Sequence, residues 1–349
     1  MKKRNLSAKK KIHNFYLKNL NNPKIKTIYS QFKKSLDNQN IKSLGIAISG
    51  GPDSLALAFL AKCYSIQKNK KYLYFIVDHK LRKESTKEAK LTKKNLKTYG
   101  INCEILIWDK KKLVSNLQST ARENRYRLIF NKCSEKKINL ILTAHHKDDL
   151  YENFFIRLLR GSGLKGLSSF SSPKTKINKE KDIFVFRPLL NISKNDLAYI
   201  AKKTFNFFII DPSNEDDKFL RIKIRKLINQ LTQNGLDFKK FKLTLENLYK
   251  SNQTIEFYVK KNIKDNSIFL NQKKSIILSE NFLNQPDEII FRSFSELIHK
   301  LGNKKKYTRG SKILNLIRSI NLSENFKKKT LSGCTFEKLN KSIIISQER

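Results

Sequence analysis

Cysteine is scarce in this sequence of 349 residues, and long apolar runs are absent. The four cysteines, Cys63, Cys103, Cys133 and Cys334, are widely spaced and form no C-x-x-C pair, so we expect reduced thiols rather than a disulfide framework or a zinc site. No stretch approaches the roughly 20 apolar residues of a membrane helix. The lysine-rich N-terminus is also not followed by the apolar segment that a signal peptide requires. These absences predict a soluble, cytoplasmic protein with no membrane partner.

Acidic residues are also few. The chain has 30 Asp and Glu against 73 Lys and Arg, which gives a formal net charge of +43. Such an excess favours a polyanionic partner, with nucleic acid as the first candidate and an anionic membrane surface as the second. Because Lys, Asn and Ile are abundant together, biased codon usage is the alternative explanation of the charge.

A Walker A loop is missing as well. The segment from Gly161 to Gly166 has its glycine spacing, but Leu167 occupies the position that a lysine would need. The sequence therefore does not predict a P-loop enzyme that cleaves between the β and γ phosphates.

Short apolar strands alternate with helices through the first two thirds of the chain. The predicted strands cover residues 44–48, 72–77, 103–108, 140–144, 184–188 and 205–210. The predicted helices cover residues 25–36, 55–64, 86–97, 120–132 and 148–159, and residues 161–182 are expected to form a mobile loop. This alternation predicts an α/β fold, a Rossmann-like parallel sheet with helices on both faces, in which ligands bind at the carboxyl ends of the strands.

The last third of the chain has a different pattern. Helices are predicted at residues 219–231, 241–259, 289–301 and 312–320, and a β-hairpin within 330–346. We therefore expect a basic N-terminal tail or short helix at 1–23, a catalytic domain at 24–215, and a mostly helical C-terminal region with a terminal hairpin at 216–349.

The sharpest motif is the turn Ser49-Gly50-Gly51-Pro52-Asp53-Ser54, between a predicted strand and a predicted helix. Its glycines allow the backbone to approach a charged ligand, and the helix that follows presents N–H groups to an anion. Ser49 and Ser54 could add hydroxyl donors. Asp53 would repel a bare phosphate, so it indicates a bridging Mg²⁺ or a helix cap. The plain alternative is a capped strand-to-helix turn without a ligand.

A second polar cluster follows the strand at 140–144: His145, His146, Asp148, Asp149 and Glu152. The carboxylates could simply stabilise a helix N-terminus. Alternatively, the cluster could bind a cationic substrate or supply a base, and a metal site is a third option. The position favours a binding site, because this strand end should open into the same crevice as the glycine turn.

Taken in order, several blocks resemble the tRNA(Ile)-lysidine synthetase family of PP-loop ATP pyrophosphatases. The blocks are Ser49 to Ser54; Val77-Asp78-His79 with Leu81-Arg82 and Glu84-Ser85; Ala121-Arg122-x-x-Arg125-Tyr126; His145-His146-x-Asp148-Asp149-x-x-Glu152; Arg157-Leu158-x-Arg160-Gly161-x-Gly163 with Gly166-Leu167; Arg187 to Leu190; and Asp211-x-Ser213-Asn214 with Arg221 and Arg225. They cover about residues 40 to 226. Leu150, Asn153 and Ile222 depart from the family pattern, and the C-terminal third resembles it mainly through Thr330 to Cys334.

The resemblance implies a two-step ligation. ATP would adenylate the C2 oxygen of the wobble cytidine in the isoleucine tRNA with anticodon CAU, and the amine of free L-lysine would then displace AMP. It implies ATP bound by Ser49, Gly50, Gly51, Pro52, Asp53 and Ser54, with Mg²⁺ on Asp53. The implied catalytic residues are Asp53, Arg122, His145, His146, Asp149 and Glu152, and the implied RNA contacts are Arg160, Arg221 and Arg225.

Within that scheme some roles stay open. Arg122, or else Arg125, would stabilise charge at the α-phosphate, and Asp149 and Glu152 would hold the lysine. Either His145 or His146 could assist proton removal. The rival hypotheses are another PP-loop tRNA-modifying enzyme, such as a cytidine thiolase with its C-x-x-C pairs, and a nucleic-acid-binding module without catalysis.

Overall fold

The computed structural model describes residues 2–39, 41, 43–82, 84–108, 117–170, 172–178, 182–209, 220–270, 274–302, 308–322 and 326–348, without the side chains of 2–9 and 117–119. The chain forms two compact units, Met1–Lys242 and Leu243–Arg349, here called the N-terminal and C-terminal units. The expected domain boundary at 215/216 and the motif residues Asp211, Ser213 and Asn214 lie outside the described residues.

The N-terminal unit is built on a six-stranded sheet in the order β3-β2-β1-β4-β6-β5. Its strands are β1 Leu44–Ile48, β2 Leu73–Asp78, β3 Cys103–Ile107, β4 Leu140–Leu142, β5 Lys174–Asn178 and β6 Ile183–Phe186. Its helices are α1 Lys2–Leu20, α2 Pro23–Asp37, α3 Pro52–Gln67, α4 Ser85–Thr98, α5 Leu117–Glu135, α6 Lys147–Leu158, α7 Leu164–Leu167, α8 Lys194–Thr204 and α9 Leu220–Gln233. All pairings are parallel except that of β5 with β6.

Alternating strand residues face two separate apolar layers, so the sheet is covered on both sides. Ile46 and Ile48 of β1 belong to one buried cluster with α3 and α8, whereas the intervening Ala47 packs against the other. That second cluster contains Ile129 and Phe130 of α5. Strands buried on both faces are continuous apolar runs, as β1 and β4 are. The predicted Rossmann-like parallel sheet is confirmed.

The chain reverses its direction across the sheet between β1 and β4. From β1 it proceeds outward through β2 and β3, then returns to pair β4 on the other side of β1. In an open α/β sheet, the crevice at the carboxyl ends of two such strands is the usual ligand site. The residues that follow Ile48 and Leu142 therefore meet at this crevice.

Three segments of the N-terminal unit differ from the sequence-based expectation. The residues expected as a basic tail or short helix contain the 19-residue helix α1, whose Tyr16 is 1% exposed and donates a hydrogen bond to Tyr99 O at 2.9 Å. The expected loop 161–182 contains the short helix α7 and the antiparallel edge strand β5. The described part of the strand expected at 205–210 is irregular, and its Ile209 N donates to Gly50 O at 2.9 Å.

The C-terminal unit contains a five-stranded antiparallel sheet in the order β7-β8-β11-β10-β9. Its strands are β7 Ser267–Leu270, β8 Ser275–Leu278, β9 Lys329–Leu331, β10 Cys334–Leu339 and β11 Ser342–Gln347. Helix α10 Phe238–Asn266 crosses the division between the units, and α11 Asp287–Leu301 and α12 Gly310–Leu322 follow. The predicted helices and terminal hairpin are present, and β7, β8 and β9 are additional. In the part of the chain that the structure describes, no helix is long and apolar enough to span a membrane.

Candidate functional site

The glycine turn after β1 is shaped by one buried serine. Ser54, which is 4% exposed, accepts hydrogen bonds from Ser49 N and Gly50 N, both at 3.1 Å, and donates to Gly51 O at 2.9 Å. The Ser49 hydroxyl also lies 3.1 Å from Ser54 Oγ. The sequence suggested that Ser54 binds phosphate, whereas its hydroxyl here folds the turn.

Gly50 must be glycine at this place. Its φ is +89°, and a Cβ added to it would lie 2.7 Å from Thr92 Oγ1 and 3.1 Å from Ile209 Cγ1. Gly51 then caps α3, and Pro52 occupies the first turn, where a missing N–H is tolerated. The turn thus delivers Asp53 to the N-terminus of α3, at the carboxyl edge of the sheet.

The cluster after β4 is centred on His146, which is 4% exposed. Its Nε2 lies 3.6 Å from Asp53 Oδ2 and 3.7 Å from Asp149 Oδ2, and its Nδ1 lies 3.4 Å from Asp148 Oδ2. Burial opposes a charge on this ring, but the carboxylates of Asp148, Asp53 and Asp149 outweigh it and raise the pKa of His146 to about 10. The glycine turn and the acidic cluster therefore form one site.

Two of these carboxylates also stabilise helix ends. Asp149 Oδ2 accepts the backbone N–H of His146 at 2.9 Å, closing the first turn of α6. Asp148 Oδ2 accepts Lys194 N at 2.9 Å, at the start of α8. Despite its burial, which acts in the opposite direction, the nearby His146 ring and the hydrogen bond from Lys194 N lower the pKa of Asp148 to about 2. Capping and ligand binding were alternatives at the sequence level, and the capping contacts are present.

His145 has the opposite character to its neighbour. Its Nδ1 lies 2.8 Å from Thr143 Oγ1, and Phe170 packs against it edge-on at 5.2 Å. Burial, followed by the positive charges of Arg187 and Arg122, holds the pKa of His145 well below its usual range. The pKa values of these two adjacent histidines are therefore shifted in opposite directions.

Glu152 and Arg225 contact each other directly. Arg225 Nε donates to Glu152 Oε1 at 2.6 Å, and the Glu152 side chain is only 5% exposed. Burial disfavours the charge of Arg225, but its hydrogen bond to the Glu152 carboxylate outweighs this and raises the pKa of Arg225. The sequence assigned Glu152 to the lysine and Arg225 to RNA, and the structure places the two in one ion pair.

Arginines supply the positive side of the site. Arg122, on the first turns of α5, lies over the Tyr126 ring at 5.3 Å, and its charge acts on Arg125, Arg157 and Arg187. Arg160 and Arg221 are exposed. A group of like charges this close is costly unless a polyanion neutralises it.

Two residues at this edge were absent from the predicted site. Arg187, at the end of β6, is 6% exposed, donates to Thr175 Oγ1 at 2.8 Å and lies over Phe170 at 4.6 Å. His79, at the end of β2, accepts a hydrogen bond from Arg125 Nε at 3.2 Å. Arg187 lies near the carboxyl end of the strand predicted at 184–188, and His79 lies two residues after the strand predicted at 72–77, so the rule that ligands bind at the carboxyl ends could have identified them.

Comparisons with known proteins agree with this geometry. A family model described as the PP-loop domain matches residues 24–232. A tRNA(Ile)-lysidine synthase from Orientia tsutsugamushi (strain Boryong) is 34% identical over 316 residues, which cover 87% of this chain and 69% of the relative. One from Wolbachia pipientis wMel is 32% identical over 308 residues, covering 87% and 70% respectively.

Among solved structures, a U34-tRNA thiolase from Methanococcus maripaludis with its [4Fe-4S] cluster is similar, with a TM-score of 0.55 and 20% identity. The similarity covers 65% of this chain and 79% of the thiolase. At this level of identity it shows a shared fold.

Proposed function

The chain belongs to the PP-loop family of tRNA(Ile)-lysidine synthases, and on that premise we propose that it uses ATP to join free L-lysine to C2 of the wobble cytidine in the isoleucine tRNA with anticodon CAU. As a member of this family it is a ligase that binds ATP and modifies the wobble position of a tRNA. The observation that carries the proposal is that Asp53 Oδ2 lies 3.6 Å from His146 Nε2, at the crevice where the strand order reverses.

The first step would be adenylation of the base. The C2 oxygen of cytosine attacks the α-phosphorus of ATP, a new O–P bond forms, and the bond to the leaving pyrophosphate breaks. The backbone N–H groups at the start of α3 are suited to hold pyrophosphate. Arg122 and Arg125 lie at the same edge of the sheet and would stabilise the charge that develops on the phosphate oxygens.

Asp53 is suited to a magnesium ion. Its Oδ1 is buried and has no hydrogen-bond partner among the described residues, and its Oδ2 lies 3.6 Å from His146 Nε2. A hard cation prefers such carboxylate oxygens together with phosphate oxygens. Mg²⁺ held there would offset negative charge on the phosphates.

The second step would form the carbon–nitrogen bond. The lysine amine attacks C2, the C2–O bond breaks, and AMP leaves. Asp149 and Glu152 would bind the positive charges of free lysine and orient its reacting amine. We assign proton removal to His145, because three carboxylates lie within 3.7 Å of the ring nitrogens of His146 and raise its pKa.

A cluster-dependent thiolase receives no support from the described residues. Cys63, Cys103, Cys133 and Cys334 are all buried, and no described group of three or more His, Cys, Asp or Glu side chains could hold a metal ion. The non-catalytic binding module stays as an outcome of the test below.

The test is incorporation of labelled lysine into purified tRNA with ATP and Mg²⁺. We expect stable label that is lost with Asp53→Ala, but retained with Asp182→Ala, an exposed aspartate of the same unit. A tRNA with its wobble cytidine replaced should accept no label. RNA-dependent pyrophosphate release without label would mean that the enzyme adenylates another base or uses another nucleophile. If the folded protein yields neither labelled tRNA nor pyrophosphate, only the binding module remains.

A further inference from the structure

His79 is held rigidly at the carboxyl end of β2. The preceding residue, Asp78, is 2% exposed and accepts hydrogen bonds from Lys80 N at 2.9 Å, Ser85 Oγ at 3.1 Å and Thr86 Oγ1 at 2.6 Å. Asp78 therefore fixes the backbone on both sides of His79. A histidine held in this way can fix the orientation of a side chain that is hydrogen-bonded to it, which a histidine on a mobile loop could not do.

A second element fixes the ring itself. Trp108, which follows β3, donates its backbone N–H to Asp78 O at 2.9 Å. Its indole packs edge-on against the imidazole of His79, with the ring centroids 6.2 Å apart. The imidazole thus has a defined plane at the same edge of the sheet as the glycine turn.

The hydrogen bond with Arg125 determines the tautomer of His79. Arginine is only a donor, so the ring nitrogen that accepts from Arg125 Nε, His79 Nε2, carries no proton. The ring proton of neutral His79 is therefore on Nδ1, which is buried and has no hydrogen-bond partner among the described residues. Keeping a buried N–H unpaired is costly, and a functional role is one of the explanations of such a group.

Arg125 is exposed, and the hydrogen bond from its Nε to His79 gives its guanidinium a defined direction. With Nε engaged, the two terminal nitrogens of the planar guanidinium have no hydrogen-bond partner among the described residues and are suited to a bidentate contact with phosphate. Its positive charge acts on Arg122, Arg221 and His145, which places it beside the residues of the proposed reaction.

We propose that His79 is a positioning residue, which orients the Arg125 guanidinium for the nucleotide phosphates by accepting a hydrogen bond from Arg125 Nε. The inference rests on the proposed function for the identity of the nucleotide. Neutral His79 is required, because a protonated ring would lose the acceptor and repel the arginine. Burial and the charge of Arg125, opposed by Asp78, lower the pKa of His79 to about 4, in keeping with this requirement.

The test compares His79→Leu, which removes the acceptor, with His79→Gln, whose side-chain oxygen can replace Nε2. For RNA-dependent pyrophosphate release, we expect His79→Leu to lower kcat/KM for ATP about 10- to 100-fold, since a misplacement of about 1 Å can cost about 100-fold. His79→Gln should recover most of that loss. His13→Leu, at an exposed histidine of α1, is the matched control and should behave as wild type.

A double-mutant cycle separates positioning from simple stability. If His79 acts through Arg125, adding His79→Leu to Arg125→Ala should cause no further loss. Additive losses, or a Gln variant as impaired as the Leu variant, would overturn the proposal, as would a His79→Leu enzyme with wild-type kinetics.

Binding of ATP alone, measured by calorimetry on the same variants, needs neither tRNA nor lysine. If wild-type protein binds ATP but ligates no lysine, the proposed function fails while His79 is still tested. In that measurement we expect weaker ATP binding for His79→Leu and Arg125→Ala and rescue by His79→Gln. Equal affinities in all variants would again overturn the role of His79.

Discussion

Three histidines at one edge of the sheet differ in pKa because their neighbours differ in charge. His146 faces three carboxylates and its pKa rises to about 10, whereas burial and nearby arginines depress the pKa of His145. His79 faces Arg125 on α5 and Asp78 on its own strand, and burial with Arg125 prevails over Asp78. The residue type alone gives no such distinction.

The lowered pKa of His79 predicts a specific acid sensitivity. Its unfolded value is about 6.5 and its folded value about 4. The unfolded chain therefore binds a proton first, and stability that is complete above about pH 6.5 is lost as the pH falls toward 4. In urea titrations between pH 7 and 4, wild-type protein should lose more unfolding free energy than His79→Leu does. Parallel curves for the two proteins would contradict the burial of neutral His79.

Glu152 gives a prediction about lysine. If its carboxylate binds the ammonium group, Glu152→Gln should raise the KM for lysine about 10- to 100-fold, because a hydrogen bond to a charged group is worth about 1.5–3 kcal/mol. The KM for ATP should change little. Glu135→Gln, at a surface glutamate of α5, is the control. An unchanged KM for lysine would restrict Glu152 to its pairing with Arg225.

The ordered motifs of the sequence located the residues near the crevice, but not their contacts. Asp53, His146 and Asp149 were expected at strand ends, and the parallel sheet brings them together. The pairing of Glu152 with Arg225 joins residues 73 positions apart, and local spacing carries no information about it. The internal role of the Ser54 hydroxyl likewise depends on the exact course of the turn.

At the scale of elements, apolar periodicity predicted the strands that are buried on both faces. It missed β5, whose sequence Lys-Thr-Lys-Ile-Asn lacks an apolar pattern and pairs only at the sheet edge. The sequence predicted either a tail or a short helix at α1, because its many lysines obscure the pattern of the few residues, such as Tyr16, that pack on the core. Edge and surface elements are set by tertiary contacts rather than by propensity.

We expect the glycine turn between β1 and α3 to tolerate substitution poorly. Gly50→Ala should lower the free energy of unfolding by about 1–2 kcal/mol from its positive φ alone, and the close contact with Thr92 should add to this. Gly163→Ala is the control, since its φ is −68° and a Cβ there meets nothing within 4 Å. Equal stability of the two variants in urea titrations would show that the turn relaxes easily.

At the scale of the whole molecule, the apolar clusters of the sheet in the N-terminal unit are separate from that of the C-terminal unit, which indicates two domains. We propose that these are the N-terminal and C-terminal units, because Phe59 and Phe294, both 0% exposed, belong to separate apolar clusters. The single tryptophan, Trp108, lies in the N-terminal unit, so its fluorescence reports on that unit.

This arrangement predicts separable unfolding. Phe294→Ala should destabilise the C-terminal unit by about 3–5 kcal/mol and leave the tryptophan transition in place, while circular dichroism shows an earlier phase. Phe59→Ala should instead move the tryptophan transition. A tryptophan transition shifted equally by both variants would mean that the chain unfolds as one cooperative body.

The charge of +43 leads to a prediction about affinity. If the excess lysines and arginines neutralise tRNA phosphates, binding releases counterions, and log K should fall linearly with log salt. With about 6–10 phosphates contacted, affinity should drop about 10³- to 10⁵-fold between about 50 and 200 mM KCl. Arg221→Gln, at an exposed arginine of α9, should reduce that slope by about one. A flat salt dependence in filter-binding assays would instead attribute the charge to residue composition, because a surface that contacts no phosphate releases no ions.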